Sequence, residues 1–136
     1  MKKLERIHIL SRAENLQSLR KFVYDFLSGL GCKDESVKEI VLAVNEACMN
    51  VIQHAYKNSD DGEIILEFYK NKNELMMRVI DYADQVDLSL IKSRNLDDIR
   101  PGGLGVHLIS RLMDSVEYKH LPHESGNFLE MHKKIF

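Results

Sequence analysis

Tryptophan is absent from this chain of 136 residues, and cysteine and proline occur only twice each. Cys32 and Cys48 make neither a CxxC pair nor a dense framework, so they read as ordinary thiols in a reducing compartment. No signal-like apolar run follows Met1, and no apolar stretch is long enough to span a bilayer. Neither sign of charge dominates: 19 basic side chains face 21 acidic ones, for a net charge of −2. That balance argues against a nucleic-acid footprint or a polybasic membrane surface. Low-complexity linkers and internal repeats are also missing. The expectation is one soluble, cytoplasmic domain over residues 1–136.

What the chain does have is apolar material, 44% of its residues, arranged with clear periods. Glu5 to Leu10 reads as an opening strand. Leu16, Leu19, Phe22, Val23, Phe26, Leu27 and Leu30 then form one stripe at helical spacing, with Gly29 and Gly31 as stop signals. A second helix is predicted from an N-cap near Asp34, its apolar set running from Val37 to Ala55. Glu63–Tyr69 and Glu74–Ile80 read as a hairpin around the polar turn at 70–73. About twenty residues without a period follow, a length that is usually functional inside a domain. A third helix is predicted from about Leu104, then strands Ser115–His120 and Asn127–Ile135. This order predicts an α+β two-layer sandwich: a largely antiparallel mixed sheet with helices on one face.

Three places can carry chemistry. Glu46 and Asn50 are i, i+4 neighbours on the polar side of the second helix, with Gln53 beside them and His54 near their edge. A carboxylate next to an amide oxygen suits a water-bridged Mg²⁺ and a general base, although a solvated helix face gives the same pattern. Gly102-Gly103-Leu104-Gly105 opens the third helix, where free N–H groups attract phosphate; a plain loop end is the bland reading. No Gly-Lys-Ser/Thr follows, so this is not a Walker A loop, and no βαβ unit surrounds it. Asp81 ends an apolar strand, where it can accept from a base amino group or simply terminate the strand. His107, just inside the third helix, is placed to approach a lid or a phosphate but is not counted among the site residues, and His120 and His123 lack partners at metal-site spacing.

Taken together and in order, these residues resemble a known pattern. Glu46-Ala47-x-x-Asn50-x-x-x-His54-Ala55-Tyr56, then Asp81, then Gly102-Gly103-Leu104-Gly105-Val106, resembles the GHKL ATPase superfamily of gyrase, histidine kinases and MutL. More closely, it resembles the short anti-sigma factor serine-protein kinases, with Leu112-Met113-Asp114-Ser115-Val116 and the closing Gly126-to-Lys134 strand extending the likeness. The resemblance implies ATP and Mg²⁺ as cofactors. It implies Glu46 as general base, Asn50 as the Mg²⁺ ligand, Asp81 on the adenine amino group, and Gly102, Gly103, Leu104, Gly105 and Val106 packed against the phosphates. It also implies partner switching: the ATP-bound form holds a sigma factor inactive and phosphorylates a serine on a STAS-domain antagonist. The first helix, with basic Arg12, Arg20 and Lys21 nearby, would help form a homodimer or a partner surface.

The sequence departs from that pattern at Ala83, where the family carries the glycine of Asp-x-Gly, and Val86 replaces the usual phenylalanine before Asp87. A methyl at 83 in the nucleotide-binding strip weakens binding if the glycine backbone geometry is required. It also motivates an alternative, a nucleotide-gated partner-binding module that performs no catalysis. A sensor histidine kinase would need phosphoacceptor helices for which the chain has no room, leaving it an orphan catalytic domain.

Overall fold

Strands that alternate large apolar and polar residues must bury one face and turn the other away. The computed structural model describes residues 1–85, 103–122 and 125–135, with backbone alone at 103–106. Along the chain come β1 (Lys2–Leu10), α1 (Asn15–Gly29), α2 (Asp34–Asn50), a π-helical turn (Val51–Ala55), β2 (Glu63–Lys70) and β3 (Glu74–Asp81). They are followed by α3 (Gly103–Leu112), β4 (Ser115–His120) and β5 (Asn127–Lys134). The strands form one sheet in the order β1-β2-β3-β5-β4. All described pairings are antiparallel, so the mixed character expected of the sheet is absent among the described strands.

One face of the sheet carries the core. Ile64, Leu66 and Phe68 of β2, Leu75, Met77 and Val79 of β3, and Leu129 and Met131 of β5 are buried there. They pack with Leu16, Leu19, Val23 and Leu27 of α1, Val37, Ile40, Val44 and Ala47 of α2, Ile109 of α3 and Met113 just past its end. Each such side chain contributes about 1.5–3 kcal/mol when fully buried, which makes this layer contact the main stabilising term. The result is the two-layer α+β arrangement that the alternation predicts.

Several local expectations are corrected. Lys33, with extended backbone, is the N-cap of α2, and Asp34 is its first helical residue. The Asp34 carboxylate instead accepts from Tyr24 Oη at 2.6 Å and pairs with Lys38 at 3.1 Å. Phe22 belongs to the predicted stripe of α1 but is 40% exposed, stacked on Phe26 rather than buried. The α-helical part of α2 stops at Asn50 rather than Ala55. Beyond it the turn widens: Tyr56 N–H donates to Val51 O at 2.9 Å and Asn58 N–H to Ile52 O at 2.8 Å. Lys57 and Asn58, both at positive φ, then end it. Gly31, at φ +87°, ends α1 as the sequence predicts, in a conformation that glycine adopts without strain. Among the described residues, no helix is long and apolar enough to cross a membrane.

Candidate functional site

The predicted site residues fall on three elements, and α2 touches both of the others, β3 and α3. Glu46 and Asn50 stand one turn apart in the last part of α2, both half-buried. Among the described residues, the Glu46 carboxylate has no hydrogen-bond or ion-pair partner. The Asn50 amide is stranger: its Nδ2 is buried with no partner among the described residues. Leaving such a group unpaired costs about 1–3 kcal/mol, so a native fold keeps one where something else is to bind. The two ends of an amide exchange by a flip, so the orphaned position suits Nδ2 toward a phosphate oxygen or Oδ1 toward a cation.

The π-helical turn begins at the residue after Asn50. Such widened turns occur frequently at functional sites, because they re-aim side chains near them. Tyr56 closes this one. Its hydroxyl donates to Glu63 O at 2.6 Å and accepts from Tyr82 N–H at 2.8 Å, which fastens the end of the turn to the start of β2 and the end of β3. Gly62 makes room for the ring, since a Cβ there would meet Tyr56 carbons at 2.6 Å.

Asp81 ends β3 and is 4% exposed. Its Oδ1 accepts from Asn127 Nδ2 at 3.1 Å and from Ala83 N–H at 3.0 Å. Burial pushes its carboxyl above the usual aspartate range, against the downward pull of those two hydrogen bonds. Oδ2 accepts nothing from the described residues, which leaves an acceptor for an outside donor. Asn127 escaped sequence reasoning. It lies opposite Asp81 in the β3–β5 register and also donates to Asp84 O at 3.2 Å. A polar residue just before the apolar pair Phe128-Leu129 was its one signal. Gly126 beside it sits at φ +127°, where a Cβ would meet Asp81 O at 2.6 Å, so the β4–β5 turn closes directly on this strand end.

Ala83 does not occupy the positive-φ region, so its backbone asks nothing of a glycine there. Gly103, Leu104, Gly105 and Val106 form the first turn of α3, as the glycine turn predicts. Gly102, Val86 and Asp87 lie outside the described residues. His107, one turn into α3, is half-buried, and its Nε2 is the second buried polar atom left without a partner among the described residues.

A family model for the histidine kinase-like ATPase domain matches residues 9–133. The chain belongs to the histidine kinase-like ATPase family. Among its relatives, the serine-protein kinase RsbW of Bacillus thuringiensis (strain Al Hakam) is 30% identical over 145 aligned positions, covering 99% of this chain and 88% of that protein. The serine-protein kinase RsbW of Bacillus anthracis is 29% identical with the same coverage. Solved structures share the fold: the RsbU and RsbW domains of a Mycobacterium tuberculosis protein superpose with a TM-score of 0.70 at 15% identity. That match covers 97% of this chain, which spans about a third, 32%, of the solved one. The SiaB–SiaC complex of Pseudomonas aeruginosa gives a TM-score of 0.67 at 12% identity, covering 98% of this chain and 91% of that one.

The residues of this histidine kinase-like ATPase fit a nucleotide on their own chemistry. An acceptor held in a dry strand end suits the amino group of a base, and an amide and a carboxylate that find no partner among the described residues suit a phosphate–metal centre. No group of three or more His, Cys, Asp or Glu side chains among the described residues forms a separate metal site. The two cysteines are chemically quiet: Cys48 is fully buried, and desolvation pushes its thiol up to about 12.

Proposed function

We propose that the chain is a cytoplasmic ATP-dependent protein serine kinase of a partner-switching system, which sequesters a sigma factor and phosphorylates a STAS-domain antagonist. The observation that carries this reading is the buried Asn50 Nδ2, unpaired among the described residues, one helical turn from the Glu46 carboxylate, which likewise has no partner among them. Family membership and the RsbW relatives support the choice of a serine kinase over other ATPase chemistry.

In this reading each side chain has a stated task. Asp81 accepts from the adenine amino group through its unused oxygen, while Asn127 and the Ala83 amide hold the carboxylate in place. The first turn of α3, Gly103 to Val106, offers its free N–H groups to phosphate oxygens, and Gly102 precedes it. Asn50 holds Mg²⁺ through its amide oxygen. Bound Mg²⁺ supplies charge neutralisation on the phosphate oxygens. Glu46 takes the proton of the attacking serine as its oxygen bonds to the γ-phosphorus and the bond from that phosphorus to the β–γ bridging oxygen breaks, releasing ADP. The protein's part is positioning and electrostatics around a loose transition state.

A binding module without catalysis was motivated by Ala83. With Ala83 outside the positive-φ region, that motive weakens, and the kinase reading is preferred. The test is calorimetric titration with Mg²⁺-ATP, then transfer of labelled phosphate to a STAS-domain antagonist by wild type and Glu46→Ala. Binding with Glu46-dependent transfer supports the kinase. Binding without transfer to any cognate antagonist leaves only the nucleotide-gated module, and no binding by wild type removes both.

A further inference from the structure

Two buried polar atoms stand unpaired among the described residues, and they lie on helices that pack against each other: Asn50 Nδ2 on α2 and His107 Nε2 on α3. The role given to Asn50 accounts for the first. Nothing yet accounts for the second.

His107 is out of place for a core histidine. Ile109, and Met113 in the turn that ends the helix, mark the core side of α3, both nearly or fully buried. At about 100° per residue, position 107 lies on the opposite side of the helix from 109. A polar ring on that side ordinarily reaches water or a surface acceptor. Here Nε2 is buried and finds neither among the described residues, which is costly for a polar atom. Helical side chains lean back toward the N-terminus of their helix, so the ring of His107 lies over the turn that starts at Gly103. In the nucleotide reading, that turn receives the phosphates.

We propose that His107 is a positioning residue of the nucleotide site, its Nε2–H donating a hydrogen bond to an oxygen of the bound triphosphate. The proposal rests on the nucleotide reading above. It gives the second orphaned atom the same kind of explanation as the first: each belongs to a polar side chain left open, on helices that pack together, for one Mg²⁺-triphosphate ligand. His107 contributes to how tightly and in what pose the phosphates are held. It exchanges no proton with substrate.

The experiment is calorimetric titration of adenosine, ADP and ATP with Mg²⁺ into wild type, His107→Leu and His107→Gln. Glutamine places an amide nitrogen near the position of Nε2, and leucine removes the donor while keeping bulk. The Leu variant is expected to lose about 10-fold or more in ATP affinity, the size of one hydrogen bond to a charged group, and less than about two-fold for adenosine. The Gln variant is expected to recover most of the loss. An unchanged ATP affinity in His107→Leu overturns the proposal, as does an equal loss for ATP and adenosine. Wild type that binds no ATP overturns the nucleotide reading and this proposal with it; wild type that binds ATP beside an unaffected Leu variant overturns this proposal alone. Should the Leu variant fail to fold, nitrogen-15 spectra of histidine-labelled wild type decide. The His107 Nε2 resonance must move with ATP and stay still with adenosine; no movement with ATP overturns the proposal.

Discussion

The two sides of the central sheet treat polar groups in opposite ways. On the side away from the helices, charges are gathered into a finished network. Arg78 lies opposite Glu67 and Glu130 in the strand register and reaches Glu130 Oε1 through Nε and Nη2, each at 3.0 Å. Its guanidinium also sits 5.4 Å from the Tyr69 ring centre and 5.3 Å from that of Phe128. Lys3 meets Glu67 at 2.8 Å, Tyr69 Oη donates to the same carboxylate at 3.0 Å, and Lys119 approaches Glu130 at 3.5 Å. Under this layer Ile65 and Met76 are nearly buried, apart from the core cluster that the described helices cover. On the helix side, at the end of α2 and the start of α3, Asn50 and His107 keep buried atoms with no partner at all among the described residues. Paired charges that hold strands together are complete in the protein alone; unpaired atoms are complete only with something added. Substitutions on the two sides should therefore separate stability from binding.

The sharpest break of that contrast is Asn50→Ala. Removing an atom that has no partner among the described residues relieves an unsatisfied group and offsets the packing lost with the side chain, so unfolding free energy should fall by no more than about 1 kcal/mol. Mg²⁺-ATP affinity should fall by about 30-fold or more, since the interaction lost is to charged groups. Calorimetry beside thermal unfolding reads both. A variant that binds as wild type but unfolds several degrees earlier would put Asn50 on the structural side of the comparison.

Asp81→Asn is next in size, with an expected loss of about 10-fold or more in ATP affinity. An asparagine can keep its Oδ1 facing Asn127 and the Ala83 amide, so the fold survives. Burial raises the folded Asp81 pKa, so the folded state keeps its proton longer than the unfolded chain does. The stability this group contributes is therefore present below the unfolded carboxylate range, near about 3.9, and falls as pH rises through the folded value. Asparagine removes that fall. Unfolding curves from about pH 4 to about pH 7 should show wild type losing ground to the variant as pH rises. Parallel curves would mean that Asp81 is not penalised by its burial.

How much of this was legible in the sequence follows from which signals are local. The stripe at Leu16, Leu19, Val23 and Leu27 and the alternation at Leu75, Met77 and Val79 were readable because burial imposes a period. The i, i+4 relation of Glu46 and Asn50 was readable for the same geometric reason. The widening after Asn50 was not, because it depends on where Tyr56 and Asn58 send their N–H groups, and those choices are set by contacts to β2 and β3. Asn127 was missed for a similar reason: its partner Asp81 lies 46 residues away, brought alongside only by the sheet register. The cross-strand network around Arg78 is equally register-dependent, and Arg78, Glu67 and Glu130 look like ordinary surface charges in the sequence alone.

On the finished side, Arg78→Ala should do the reverse of Asn50→Ala. Glu130, only 10% exposed at its side chain, would keep Lys119 and His132 but lose its closest cation, and the stacking on Tyr69 and Phe128 would go with it. Because Arg78 itself is 36% exposed, the expected cost is at the low end for breaking a buried pair, about 1–2 kcal/mol. ATP affinity should stay within about two-fold of wild type, because nothing here touches α2 or α3. Urea unfolding and the same titration measure the two halves. A variant with wild-type stability and weakened ATP binding would invert the comparison.

The smallest expected effect tests the same network by pH. His132 sits between two carboxylates, Nδ1 at 2.6 Å from Glu74 Oε1 and Nε2 at 3.2 Å from Glu130 Oε2. Burial pulls its pKa down, but the hydrogen bonds to Glu74 and Glu130 outweigh that pull and leave it raised above 6.5. With both ring nitrogens facing acceptors, the imidazolium is the form the network wants. A raised histidine stabilises the fold fully below its unfolded pKa, and that contribution is lost as pH rises through the folded value. Wild type should therefore lose up to about 1 kcal/mol relative to His132→Gln from about pH 6.5 upward. Denaturant midpoints of the two proteins across that range give the difference directly. A difference that stays flat would mean His132 is held by its neighbours without depending on its proton, and the charge pairing of the outer face would then rest on Arg78, Lys3, Arg6 and Lys119.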